Sequence, residues 1–238
     1  MGNRVDVGGV IRRTFEIYAD QALVLVTAAA VVFVISAVVG ALLVSASPGL
    51  AIIALVVSLV ASTLFTGMVV ELVADVQDGR RDTSPGQLLQ AAVPVLGQLI
   101  LVGIVAGIGI VIGFILIIIP GLILLTIWSV AAPVVVLERP GGLRALGRSR
   151  ELVRGEGWNV FAVILLMVIL VAVISFVVEA VAASAGTGID LLVRVVVGIL
   201  TAPISALASA VLYFQLRGPG GRENAAAGAP GAGPPVAP

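Results

Sequence analysis

The chain has 238 residues, of which 60% are hydrophobic and 11% charged, against about 45–50% and about 25% in soluble domains. Thirteen basic and thirteen acidic residues cancel, so only the placement of charge is informative. Cysteine and histidine are both absent, which excludes disulfides, cysteine nucleophiles, histidine general bases and histidine-ligated haem, zinc or copper.

In chain order, Met1 to Asp20 carries Arg4, Asp6, Arg12, Arg13, Glu16 and Asp20. With a full-length apolar run behind it, this segment reads as retained and not as a cleaved signal. Val7, Val10, Ile11, Phe15 and Tyr18 form one helical stripe, with the charges away from it, the pattern of a helix lying in the headgroup plane. Uncharged blocks follow at Ala22–Val44 and Leu50–Val70, with a breaker cluster at Ser45–Gly49 between them. Leu88 to Leu137 then runs fifty residues without a charge. That block is too long for one crossing and is expected to reverse at Gly107, Gly109 and Gly113, where glycine permits a tight turn. Gly103–Gly107 and Gly109–Gly113 also match the small-xxx-small helix-contact pattern. Pro94, Pro120-Gly121, Pro133 and Pro203 are expected to interrupt crossings, Pro120-Gly121 at mid-membrane depth. Gly141-Gly142 opens a second amphipathic segment, Leu143, Leu146 and Val153 opposed by Arg144, Arg148, Glu151 and Arg154. Trp158–Val178 and Val195–Leu216 complete the apolar blocks, with Glu179, Asp190 and Arg194 expected to form a surface ion pair between them. Residues 218–238 are almost wholly Gly, Ala and Pro and are expected to form a disordered tail.

About 20 helical residues cross a bilayer core, and backbone groups in lipid must bond within their own segment. The expected fold is therefore all-α, a polytopic integral membrane domain over residues 1–217. Six transmembrane helices (22–44, 50–73, 90–107, 114–137, 158–179 and 194–216) form three hairpins. A short helix on the cytoplasmic side precedes each hairpin in a threefold repeat, beginning at Gly8-Gly9, Pro85-Gly86 and Gly141-Gly142. All thirteen basic residues are arginine, and this threading gathers twelve at one face and leaves only Arg194 at the other. The positive-inside rule then places both termini in the cytoplasm of a bacterial inner membrane.

Ile119-Pro120-Gly121-Leu122, Ala132 to Glu138, Ala145 to Ser149 and Leu152 to Trp158 follow one another closely. This order resembles the membrane domain of glycerophosphoryl diester phosphodiesterases and related uncharacterised bacterial inner-membrane proteins. Leu212 to Arg217 is similar to the family's closing motif, with Gln215 where an aspartate is usual. The resemblance covers about residues 5–217. It implies a six-helix membrane domain that precedes a catalytic domain in some relatives. Such catalysis uses histidines and metal-binding carboxylates, so a chain without histidine that ends soon after its last helix is expected to be no enzyme.

Three groups of residues are candidates. Glu71 and Asp75 share a helix face, and Glu138 stands at the corresponding end of crossing four. They bind a cation or basic ligand, or else pair with Arg144, Arg148 and Arg150 to anchor the second amphipathic helix. Arg144, Arg148, Arg150 and Arg154 contact anionic phospholipid, or only mark topology. Pro120 and Gly121 serve transport as a broken helix, or serve packing alone. The leading expectation is a non-enzymatic, lipid-contacting or scaffolding module, and the alternative is a transporter or channel component. No cofactor, metal or nucleic acid is expected, and the expected partners are membrane lipids together with an unspecified protein.

Overall fold

The computed structural model describes residues 5–79, 84–184 and 187–218, apart from the side chains of 181–194. The 219–238 tail, Arg4, Arg80, Arg81, Arg222 and the Asp190–Arg194 pair lie outside the described residues. Among those described, every regular element is helical. Six stretches are long and apolar enough to cross a membrane: Ala22–Ala46, Pro48–Gln77, Pro85–Leu116, Ile118–Leu137, Gly157–Ala180 and Val195–Arg217. The protein is an all-α polytopic membrane protein.

The helices are α1 (Val7–Asp20), α2 (Ala22–Ala46), α3 (Ala51–Gln77), α4 (Pro85–Ala92), α5 (Leu96–Leu116), α6 (Ile118–Ile127), α7 (Ala131–Leu137), α8 (Arg144–Val153), α9 (Gly157–Ser184) and α10 (Thr187–Arg217). Antiparallel α2 and α3 turn where expected. Ser47 caps a single 3-10 turn at Pro48–Leu50, its hydroxyl accepting the Gly49 N–H at 3.3 Å. α4 starts with a reciprocal cap in which Ser84 N–H donates to Gln87 Oε1 (2.9 Å) and Gln87 N–H to Ser84 Oγ (3.4 Å). Such a cap satisfies two end donors. Because spans alternate in direction, the segments before spans one, three and five share one end of the bundle.

The fifty-residue block departs from expectation. Gly107, Gly109 and Gly113 lie inside α5, and the reversal falls at Ile117, an extended residue (φ −160°, ψ 145°). Glycine permits a turn but does not compel one, and in lipid an unbroken helix keeps its hydrogen bonds. Proline removes a bond at this point, although it does not always break a span: Pro203, expected to interrupt the sixth crossing, lies inside the continuous α10. Pro120 has no N–H for the Leu116 carbonyl four residues back, and α5 ends at Leu116. Pro120 then stands third in α6, where its missing donor costs little. Pro120-Gly121 therefore belongs to the hairpin turn between α5 and α6 and not to a mid-membrane break. The third and fourth spans become Pro85–Leu116 and Ile118–Leu137.

The glycines act in packing instead. A Cβ on Gly109 would stand 2.6 Å from the Trp128 ring, one on Gly113 2.9 Å from the Gly121 Cα, and one on Gly121 2.5 Å from the Phe114 ring. The second small-xxx-small pair thus seals α5 against α6. At Gly103 and Gly107 a Cβ would meet nothing within 4 Å, so the first pair makes no such contact.

The core gathers Val69, Val70 and Val73 of α3, Val134–Val136 of α7, and Leu207, Val211 and Tyr213 of α10. α1 joins it through Val10 and Ile17, while Ile11 and Tyr18 pack against Met167, Ile204 and Ala208. The stripe that α1 buries in the bundle is Val10-Thr14-Ile17, while Phe15 of the expected apolar stripe stays exposed. Thr14 tolerates burial because its hydroxyl donates to the Val10 carbonyl (2.8 Å).

Candidate functional site

α7, α8 and α10 meet at the end of the bundle that carries the arginines. Glu138, the residue after α7, accepts from Arg148 Nε of α8 at 2.9 Å and from the Tyr213 hydroxyl of α10 at 2.9 Å, one bond on each carboxylate oxygen. Arg217 donates to the Tyr213 oxygen at 3.2 Å, its guanidinium 5.8 Å from the ring centre. Arg148 also reaches Glu151 at 3.2 Å. Burial works against the Arg148 charge, yet the bonds and charges of Glu138 and Glu151 outweigh it and raise the guanidinium pKa above its ordinary value. A charge-assisted network of this kind fixes α8 on two spans at once.

Glu71 sits apart from this network. Its carboxylate lies 3.9 Å from Arg139, which adopts a left-handed conformation (φ 48°) at the turn into Gly141-Gly142. The structure therefore gives Glu71 and Glu138 separate arginine partners, and no group of three metal-ligating side chains forms among the described residues. Asp75 is engaged as well. Of the three arginines expected to meet these carboxylates, Arg148 alone does so.

Arg144, Arg150 and Arg154 are exposed and in no ion pair among the described residues. α8 buries Ala145, Leu146, Ser149 and Val153, so burial selects which arginines turn outward. Arg154 leads into Gly155-Glu156-Gly157, where a cleft of about 660 Å³ opens between α6 and the start of α9. Leu122, Ile123 and Phe161 line it, and Trp158 stands at its edge, 83% exposed. Glu156 on the wall is held by the Val5 N–H (3.2 Å) and Asn159 Nδ2 (2.7 Å).

The fourth span is broken not at Pro120-Gly121 but at Trp128–Val130, the interruption expected of Pro133. Pro133 supplies no N–H to the Ser129 carbonyl. Ser209 Oγ of α10 donates to that carbonyl instead, at 2.6 Å. Ala131 N–H turns to the Trp128 carbonyl (3.0 Å), and Ser149 Oγ of α8 donates to the Ile127 carbonyl (2.8 Å). Two helices thus complete the backbone of a third.

Tyr213, Arg217, Ser149 and Ser209 were not singled out from sequence as parts of a site. Hydroxyls on apolar helices carry no periodic signal, though Pro133 does point four residues back to Ser129.

A family model described as "Domain of unknown function (DUF8558)" matches residues 9–216. The chain belongs to this family. The matched region runs from α1 to the end of α10 and so includes the Glu138–Arg148–Tyr213 network, the cleft and the broken span. No curated protein and no solved structure matches the chain.

Proposed function

We propose that this member of the DUF8558 family is a non-enzymatic membrane module that holds anionic phospholipid against α8, with that end of the bundle and both termini facing the cytoplasm of a bacterial inner membrane. The observation that carries the reading is the outward face of Arg144, Arg150 and Arg154 ending beside the apolar cleft between α6 and α9. Each basic side chain near a membrane surface contributes about 1 kcal/mol toward anionic headgroups before screening. Trp158 at the cleft edge has the amphipathic ring that settles at headgroup level.

The test is lipid retention by purified protein. Arg144→Gln, Arg150→Gln and Arg154→Gln together are expected to lower retained phosphatidylglycerol about tenfold or more, with phosphatidylcholine unaffected. Arg148 is left unchanged because it fastens α8 to the bundle. Equal phosphatidylglycerol retention by the triple variant would overturn the proposal.

A further inference from the structure

We infer that Glu156 selects the lipid held at the α6–α9 cleft, favouring phosphatidylglycerol, whose head carries hydroxyl donors, over phosphatidic acid. This selection rests on the lipid-holding role proposed for α8 and adds to it the chemistry of the head.

The cleft has an apolar and a polar part. Ile119 and Ile127 both line it, so it follows nearly the whole of α6, about 12 Å at the helical rise. With Leu122, Ile123 and Phe161 on the same wall, that stretch suits the first part of an acyl chain. Gly155, Glu156 and Asn159 form the polar part, next to Arg154 in the chain.

Glu156 is the one ionisable side chain lining the cleft among the described residues, and its two oxygens differ. Oε2 accepts from the Val5 N–H (3.2 Å) and from Asn159 Nδ2 (2.7 Å), which holds the carboxylate in place. Oε1 has no partner among the described residues and, unlike Ser129 Oγ, is not sealed from its surroundings. Arg154, two residues away across the left-handed Gly155 (φ 94°), is exposed and in no ion pair among the described residues. A cation and a carboxylate oxygen therefore stand close together, and neither is spent on the other.

A carboxylate oxygen only accepts, so a head that meets Oε1 must donate. A phosphoglycerol head brings a singly charged phosphate for arginine and, a few bonds further on, hydroxyls for Oε1. Phosphatidic acid ends in a monoester phosphate, which carries about −1.5 to −2 near pH 7, and it sets that charge against the Glu156 carboxylate. Phosphatidylethanolamine donates too but is neutral overall, and the three outward arginines favour the anionic lipid. Arginines acting by charge alone would take phosphatidic acid first. The order of the two anionic lipids therefore reports on Glu156.

Full-length protein freed of lipid in detergent is titrated with an equimolar mixture of phosphatidylglycerol and phosphatidic acid matched in acyl chains. Native mass spectrometry identifies the bound lipid. Phosphatidylglycerol is expected to be bound in about fivefold excess or more. Glu156→Gln keeps an acceptor for Val5 and Asn159 but can turn an amide donor to phosphate, so the ratio should fall to about one or invert. Ile123→Trp, at a position 54% exposed, fills the cleft without entering the core and should weaken binding of both lipids severalfold. Equal or tighter binding of phosphatidic acid by the unaltered protein would overturn the inference, as would an unchanged ratio in Glu156→Gln or unchanged binding in Ile123→Trp. The wider reading fails separately, if the triple arginine variant still retains both lipids. Equal binding of the two lipids that is lost in that variant removes only the role of Glu156.

Discussion

Replacing Gly113 by alanine isolates one contact of the α5–α6 hairpin. The new Cβ would lie 2.9 Å from the Gly121 Cα, 3.0 Å from its N and 3.2 Å from Leu124 Cδ1, where ordinary contact needs 3.4–4 Å. Two of those three atoms are backbone, so α6 must retreat by roughly half an ångström or more. A gap of that size forfeits about a quarter to a half of each dispersion contact it opens, and forced insertion into a packed interface costs about 1–3 kcal/mol. Alanine returns at most about 0.5–1 kcal/mol through its better helix propensity. The expected net loss is about 1–2 kcal/mol. Gly107→Ala lies in the same helix but meets nothing within 4 Å, so it should be neutral or slightly stabilising. Gly121→Ala should fall between them, because the atoms it strikes belong to the half-exposed Phe114 ring, which can swing aside. Unfolding by dodecyl sulfate in mixed micelles, followed by circular dichroism, measures all three. If Gly113→Ala unfolds at the same detergent fraction as Gly107→Ala, the sealed α5–α6 interface is wrong.

Glu138→Gln replaces two charge-assisted bonds with weaker neutral ones. Because Arg148 is about 40% exposed and water screens part of the pair, a loss of about 1–2 kcal/mol is expected in thermal melts. Tyr213→Phe should cost less, since the Arg148 bond survives, and equal losses in the two would contradict the geometry. Ser209→Ala leaves the Ser129 carbonyl without its donor, a penalty of about 1–3 kcal/mol that Ser209→Thr should largely avoid; unchanged melting in Ser209→Ala would show that the carbonyl has another donor. On the cysteine-free background, a thiol at Ser47 should react with impermeant maleimide from outside intact cells and one at Gly147 only after permeabilisation. Reversed labelling would invert the proposed orientation.

The apolar block lengths and the gathering of arginine determined the class, the number of spans and the first hairpin. Those features are local, because a run of about 20 residues without charge has only one way to satisfy its backbone in lipid. Glycine was the unreliable signal: Gly107, Gly109 and Gly113 permit a turn and equally permit close packing, and sequence does not say which is used. Proline was better, since its missing donor always falls four residues back. Even so, Pro120 and Pro133 looked alike along the chain, and their depths in the bundle followed only from where α5 ended. Which arginine turns inward was likewise decided by tertiary structure: Arg148 meets Glu138 and Tyr213 because α7, α8 and α10 converge, while Arg144, Arg150 and Arg154 stay outside. The broken span depends on partners far away in sequence, Ser149 and Ser209, which supply bonds its own helix cannot. Burial and periodicity can be read one segment at a time, but hydrogen-bond completion between helices exists only once the helices have met.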